Sequence, residues 1–159
     1  LLSEIYNLNV NVVRPFNIYG ENYKWVGEYS SAIPMLVKRI LDDENPLIAW
    51  GSGNQRRSYM HAYDCARLMH KIMDNKFSNI TVNIGTKETI SVSELVNLIC
   101  KLSGKNPDII FDRTKPEGRF IKSSDTKFLK KIVGTDINIC SVSLEEGLKK
   151  MINWYKNTF

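Results

Sequence analysis

The chain has 159 residues, a formal net charge of +5, 43% hydrophobic residues and 25% charged residues, which is typical of a globular domain with its own core. No apolar run approaches the roughly 20 residues that a membrane-spanning helix needs, so we expect no membrane segment. The basic residues are spread along the chain without a dense stripe. This pattern favours a pocket for a small phosphorylated ligand over a nucleic-acid surface.

The segment "LLSEIYN" (1–7) has the pattern of the middle of a helix and begins with Leu rather than Met. We therefore expect that further sequence precedes Leu1, and we expect no signal peptide. The three cysteines are odd in number and far apart, at Cys65, Cys100 and Cys140. They indicate buried thiols in a reducing compartment, so the predicted location is the cytoplasm.

The first half begins with a predicted strand at 9–14, which leads into a loop rich in Asn, Tyr and Gly and then into a helix from Ser31. Two further strands, at 46–50 and 56–61, flank "GSGN" (51–54). That segment lacks the glycine spacing that opens a dinucleotide-binding helix. We therefore predict that it is a hairpin turn.

The second half alternates helices with strands, so the predicted fold class is α/β. Capping signals mark the starts of three helices, at Asp64, at the pair Ser91 and Glu94, and at the pair Ser143 and Glu146. Glycines are predicted to end two helices, at Gly104 and Gly134. The remaining predicted elements are strands at 80–85 and 107–112 and a helix at 124–133.

No catalytic set can be assembled from these residues. His61 and His70 are not spaced as metal ligands, and neither is placed beside a nucleophile by any motif. We therefore predict no metal site and no catalytic residue within this chain. For His61, which ends a strand, a structural hydrogen bond is the favoured role.

Residues suited to binding lie at the ends of the predicted elements. Asn17 follows a strand and offers both a donor and an acceptor. Arg57 follows a glycine-containing turn, where a guanidinium can form two parallel bonds to a phosphate. Trp50 ends a strand and serves either as core or as a flat surface for a base. Three more cations lie within eight residues of loop, at Lys115, Arg119 and Lys122.

Five segments in order resemble the C-terminal half of the extended short-chain dehydrogenase/reductase family, the NAD-dependent sugar-nucleotide epimerases and dehydratases. They are "RPFNIYG" (14–20), "WGSGNQRRSYMHAYDCAR" (50–67), "VNIGTKETISVSEL" (82–95), "KPEGRFIKSSD" (115–125) and "SLEEGLKKMINWY" (143–155). The resemblance implies a Rossmann-type fold with a small α/β substrate-binding domain. Residues 1–20 and about 60–90 would belong to the Rossmann core.

The resemblance also implies how the substrate would be bound. Asn17 would contact the sugar or pyrophosphate of a nucleoside-diphosphate sugar, and Arg57 would bind the diphosphate. Trp50 would lie beside the base, and either Arg119 or Lys122 would be a second phosphate contact. A Trp at this position offers more stacking area to a purine, so we expect a GDP-sugar rather than a UDP- or dTDP-sugar.

Two further positions follow from the same resemblance. Pro15 and Phe16 would lie near the nicotinamide end of NAD or NADP, which would be bound mainly by a part preceding Leu1. The loop 21–29, with Tyr23 and Trp25, would cover the sugar. The catalytic residues would also precede Leu1, so we expect this chain alone to be inactive, and the intact protein to be a homodimer.

Several functions remain open at this point. An epimerase is the first hypothesis, and a dehydratase, reductase or decarboxylase of the same family is equally compatible with the residues. A sugar-nucleotide binding module without catalysis is the alternative from another class. A basic nucleic-acid-binding domain is the third, and the spread of the basic residues counts against it.

Overall fold

The computed structural model describes residues 2–25, 30–74 and 76–159. In chain order the elements are α1 (Leu2–Tyr6), β1 (Val12–Pro15), β2 (Ile18–Tyr19), α2 (Ala32–Leu41), β3 (Leu47–Trp50), β4 (Arg56–Arg57), β5 (Met60–His61), α3 (Ala62–Met73), β6 (Thr81–Ile84), β7 (Ile90–Ser91), α4 (Val92–Ser103), β8 (Ile109–Asp112), β9 (Ile121–Lys122), α5 (Lys127–Val133) and α6 (Leu144–Thr158).

The strands pair mainly in parallel, and each parallel pair joins segments far apart in the chain. β1 pairs with β6, β2 with β5, and β3 with β8. β4 lies between β7, which runs antiparallel to it, and β9, which runs parallel. Parallel strands need long crossover connections, which here contain helices, so an α/β architecture follows.

The predicted hairpin around "GSGN" is wrong, because β3 pairs with β8 and not with β4. Gly51 and Gly53 both adopt positive φ, at 83° and 79°. A Cβ at Gly53 would lie 2.5 Å from the ring of Phe111 on β8. The segment is therefore a tight turn that passes directly over its parallel partner strand, and only glycine fits there.

The predicted strand at 56–61 is divided in two. Arg56 and Arg57 belong to the three-stranded sheet, whereas Met60 and His61 pair with β2. The main chain changes sheets at Ser58 and Tyr59. Strands of two residues give little periodicity in a sequence, which is why β2, β7 and β9 were not predicted at all.

Both predicted capping boxes are present, at the starts of α4 and α6. The Ser91 hydroxyl accepts from the amide of Glu94, and the Glu94 carboxylate accepts from the amide of Ser91. Ser143 and Glu146 repeat this exchange. The predicted end of α4 at Gly104 is also confirmed, with a left-handed φ of 74°.

The prediction that Asp64 caps α3 is wrong. The N-cap is His61, whose Nδ1 accepts a hydrogen bond from the amide of Tyr63 at 3.2 Å. Asp64 lies in the first turn instead and is completely buried. Its carboxylate binds the Ser141 hydroxyl and the Val142 amide, which lie nearly eighty residues away.

The core has two parts. The first is built by α2, α4 and α6 around β3, and it includes Tyr19 and Trp25. The second is built by α3 and α5 against β5 and β6. Asp64 of α3 binds the segment that leads into α6, so it connects the two parts.

Strand β1 has β6 as its one partner among the described residues. Its apolar Val12 is 46% exposed, which is unusual for a parallel strand, since these are normally buried on both faces.

Candidate functional site

Three of the predicted binding residues line one cavity of about 260 Å³, namely Asn17, Trp50 and Arg57. Asn17 lies between β1 and β2, Trp50 ends β3 and Arg57 ends β4. Gln55 and Glu117 line the same cavity. A cavity of this size is slightly below the usual range for a whole ligand, about 300–1,000 Å³, so it would hold part of a larger molecule.

Asn17 is fixed by the main chain around it. Its φ of 46° lies in the left-handed region, where Asn is one of the few non-glycine residues commonly found. Its side-chain amide donates to the carbonyl of Ser58 at 2.8 Å, and its own carbonyl accepts from the amide of Met60 at 3.3 Å. Asn17 therefore connects β2 to the junction of β4 and β5.

Trp50 is 59% exposed, so the interpretation as a core residue is wrong. The ammonium of Lys115 lies 5.9 Å from its ring centroid, which is within the range of a cation–π contact. The main-chain carbonyl of Trp50 accepts from the side-chain amide of Gln55 at 3.0 Å. The ring is therefore held at the cavity rim with most of its surface accessible.

Arg57 is half-buried and binds the loop that follows β8. Its Nη1 donates to the carbonyls of Arg56 and Arg119, both at 2.8 Å. Its Nη2 donates to the carbonyl of Glu117 at 3.0 Å. Arg56, its neighbour on the strand, binds Thr89 and pairs with Glu94 instead.

Glu117 is attached to the turn after β3. One carboxylate oxygen, Oε2, accepts from both the amide and the hydroxyl of Ser52, at 2.7 and 2.6 Å. These two bonds hold the pKa of the Glu117 carboxyl below its usual value, so it is charged at neutral pH. A Cβ at Gly51 would lie 2.5 Å from the Glu117 Cβ, so glycine allows the two loops to touch.

The other predicted phosphate contacts lie outside this cavity. Arg119 contributes only its main-chain carbonyl to Arg57, and its side chain is exposed. Lys122 is the register partner of Arg57 in β9 and is also exposed. Neither lines the 260 Å³ cavity.

Pro15 and Phe16 lie at the end of β1, also outside the cavity. Pro15 is exposed and Phe16 is half-buried. The Phe16 amide donates to the carbonyl of Ile84 at 2.8 Å, which continues the pairing with β6. Both residues are therefore placed at the exit of two neighbouring parallel strands.

The predicted sugar-covering residues are not placed together. Trp25 is only 5% exposed and stacks on Trp154, with ring centroids 5.3 Å apart, so the structure assigns it to the core. Tyr23 is 42% exposed and lines a separate cavity of about 420 Å³ beside His61. Residues 26–29 of this loop lie outside the described part of the chain.

Gln55, Tyr59 and Glu117 are among the cavity residues that sequence reasoning missed. Burial raises the pKa of Tyr59 to about 12, so its hydroxyl remains protonated at neutral pH. Gln55 is almost completely buried. Gln55 and Glu117 are positioned by contacts with Trp50 and Ser52, at a turn that was predicted to be a hairpin, so no sequence signal pointed to them.

A sequence profile of the NAD dependent epimerase/dehydratase family matches residues 2–85, which is more than half of the chain. The chain belongs to this family. Its parallel strands and connecting helices agree with the predicted Rossmann-type α/β fold, since a solved family structure superposes on nearly all of it. The resemblance stated from the five sequence segments is thereby confirmed.

Individual relatives agree with this assignment. The chain is 29% identical over 145 residues to a putative GDP-L-fucose synthase 2 of Arabidopsis thaliana, covering 89% of this chain and 43% of the relative. It is 29% identical over 157 residues to a putative UDP-glucose 4-epimerase of Methanocaldococcus jannaschii, covering 99% and 49%. A UDP-glucose 4-epimerase of Thermotoga maritima, solved with UDP-glucose, superposes with a TM-score of 0.85 at 25% identity, covering 98% and 48%.

The chain thus spans less than half of the length of each of these family members. Within residues 2–25, 30–74 and 76–159, no helix has the length and apolar character needed to cross a bilayer. The same residues contain no group of three or more side chains arranged to hold a metal ion.

Proposed function

We propose that this chain is the substrate-binding part of an NAD-dependent nucleoside-diphosphate-sugar epimerase, and that the cavity beside Trp50 and Arg57 receives the nucleoside diphosphate. The same site would serve a dehydratase, reductase or decarboxylase of the family, because it would bind the nucleotide and not the reacting sugar. Family membership supports the class of substrate, and the geometry supports the role of these two residues.

The free edge of the Arg57 guanidinium is the observation that carries the proposal. A guanidinium has five N–H groups. Three of them have carbonyl partners, two on Nη1 and one on Nη2. Among the described residues nothing accepts from Nε–H or from the second Nη2 N–H. These two groups can bind two oxygens of a phosphate in parallel, which is the strongest arrangement that Arg makes with an anion.

Trp50 and Arg57 line the same cavity. An exposed indole gives a stacking surface for a nucleobase, worth about 1–3 kcal/mol. A site that offers a flat aromatic ring and a bidentate cation fits a nucleoside diphosphate better than it fits a free sugar. The sequence left either Arg119 or Lys122 as the second phosphate contact. We favour Lys122, because it is the register partner of Arg57 in the sheet.

NAD, when bound, supplies reversible hydride transfer. In this chain Pro15 and Phe16 would touch only its nicotinamide end: an exposed proline and a half-buried ring at a strand exit suit an apolar contact. The described cavity contains no group that we assign to proton transfer. We therefore expect the isolated chain to be inactive. Separately, we expect the intact protein to be a cytoplasmic homodimer.

The test is a titration of the complete protein with nucleoside diphosphates. Arg57→Ala should weaken binding about ten- to hundredfold, as expected for loss of hydrogen bonds to a charged group worth about 1.5–3 kcal/mol. Arg57→Lys should weaken binding almost as much, because an ammonium keeps the positive charge but cannot form two parallel hydrogen bonds to a phosphate. Arg56→Ala is the matched control, and its affinity should change less than threefold.

Two outcomes would reject the proposal. If no nucleoside diphosphate binds the wild-type protein, the substrate class is wrong. If Arg57→Ala folds normally and binds with unchanged affinity, Arg57 serves only to hold the loop after β8, and the diphosphate lies elsewhere.

A further inference from the structure

Glu117 places a negative charge on the wall of the cavity that Trp50 borders. Ser52 occupies only one of its two carboxylate oxygens, Oε2. Nothing in the described part of the chain donates to Oε1. The carboxylate is therefore positioned by the turn and still has an acceptor free, and each carboxylate oxygen can accept two hydrogen bonds.

Lys115 adds a cation beside the same ring, with its ammonium 5.9 Å from the Trp50 ring centroid. If a base stacks on Trp50, Lys115 offers it a donor and Glu117 offers it an acceptor of opposite charge. Such a pair distinguishes bases by the order of their polar atoms, because a mismatch brings an acceptor against the carboxylate or a donor against the ammonium.

Guanine is the common base whose edge fits this pair. It presents the O6 acceptor followed by two adjacent donors, N1–H and N2–H₂, and a carboxylate can accept from both. Uracil and thymine have one donor, N3–H, between two carbonyl oxygens, so one oxygen would face the carboxylate. Adenine has a donor where guanine has O6 and an acceptor at N1.

We propose that Glu117 is the residue that selects the nucleobase, and that it selects guanine by accepting from N1–H and N2–H₂. This inference rests on the proposed function, because it concerns the same cavity. The 2′- and 3′-hydroxyls of a ribose also present two adjacent donors. The experiment must therefore separate recognition of the base from recognition of the sugar.

The first measurement needs no variant. Calorimetric titration of the complete wild-type protein with GDP and with IDP, which lacks only the N2 amino group, should show GDP binding about tenfold more tightly. UDP should bind more weakly than either. Deoxy-GDP, which lacks the 2′-hydroxyl, should bind within about threefold of GDP.

The second measurement uses Glu117→Gln, which keeps an oxygen for Ser52 but removes the charge. GDP affinity should fall about ten- to hundredfold, whereas UDP affinity should stay within about twofold. Glu145→Gln removes another exposed carboxylate, on α6, and should change neither affinity. Ser52→Ala loosens the anchor but keeps the charge, so the preference for GDP over IDP should remain.

The outcomes separate this inference from the proposed function. Equal losses of GDP and UDP in Glu117→Gln, with weak binding of deoxy-GDP, would overturn the inference in favour of ribose recognition. Equal binding of GDP and IDP by the wild type would overturn it directly. Failure of every nucleoside diphosphate to bind the wild type would instead reject the proposed function.

Discussion

Replacing Asp64 by Asn tests how the two parts of the core are joined. The buried carboxylate accepts from the Ser141 hydroxyl at 2.6 Å and the Arg67 Nη2 at 2.8 Å through Oδ1, and from the Val142 amide at 2.9 Å through Oδ2. An amide has one oxygen, so its NH₂ group must face donors on one side.

The expected loss follows from these contacts. If the Asn oxygen takes the Oδ1 position, the Val142 amide faces the NH₂ group of Asn and has no acceptor. Leaving a buried N–H without an acceptor destabilises the folded state by about 1–3 kcal/mol. The bonds to Ser141 and Arg67 also lose their charge, which adds about 1 kcal/mol. We expect Asp64→Asn to lower the free energy of unfolding by about 2–4 kcal/mol, a large part of the roughly 5–15 kcal/mol of an ordinary domain.

Urea unfolding followed by circular dichroism at neutral pH measures this difference. Asp74→Asn is the matched control on the same helix, because it removes an exposed carboxylate paired with His70 and should change stability by less than about 0.5 kcal/mol. An Asp64→Asn protein as stable as the Asp74→Asn control would refute the reasoning.

The pH dependence gives a second readout of the same group. Burial alone would raise the pKa of Asp64, but bonds from Ser141, Val142 and Arg67 outweigh burial and hold the pKa below its usual value. A depressed pKa contributes stability above the unfolded value, about 3.9, which is lost as the pH falls through the folded pKa. The difference between wild type and Asp64→Asn should therefore shrink as the pH falls below about 4.

Two further predictions concern the first part of the core. Trp25→Ala should lower the free energy of unfolding by about 3–5 kcal/mol, because the indole is buried against Trp154. Tyr23→Ala, at an exposed ring, should change it by less than about 1 kcal/mol. Equal losses of the two variants in urea unfolding would contradict the assignment of Trp25 to the core. Gly147→Ala should destabilise by about 1–3 kcal/mol although Ala is the better helix former, because its Cβ would lie 2.2 Å from the Tyr19 hydroxyl. Tyr19→Phe should recover part of that loss, and a stabilised Gly147→Ala melting at higher temperature would show that the contact is wrong.

Local signals predicted the helices well. The capping boxes at Ser91 and Ser143 form as expected, and each joins a side chain to main-chain atoms only three residues away, within one sequence window. Asp64 had the same local preference for a cap. It is used instead by Ser141, a residue 77 positions further along the chain, and a sequence window does not contain that partner.

Strand pairing was the part that local signals could not supply. The turn at 51–54 has the composition of a hairpin, yet β3 pairs in parallel with β8 (Ile109–Asp112), which lies far along the chain. The site was predicted in part for the same reason. Asn17, Trp50 and Arg57 lie at strand ends, which local patterns can indicate, whereas Glu117 reaches the same cavity through its contact with the unexpected turn.

The attachment of the loop after β8 has a consequence for how a ligand would associate. The Arg57 guanidinium donates to two main-chain carbonyls of this loop, those of Glu117 and Arg119. The Ser52 hydroxyl donates to the Glu117 carboxylate of the same loop. The cavity wall is thus already ordered, so little interaction energy would go into ordering it on association. Binding should approximate rigid docking, with nearly the same loop conformation before and after. A cavity wall that does not move also cannot compensate for a hydrogen-bond donor that a ligand lacks. Ligands that differ by one such donor should therefore differ mainly in their dissociation rates.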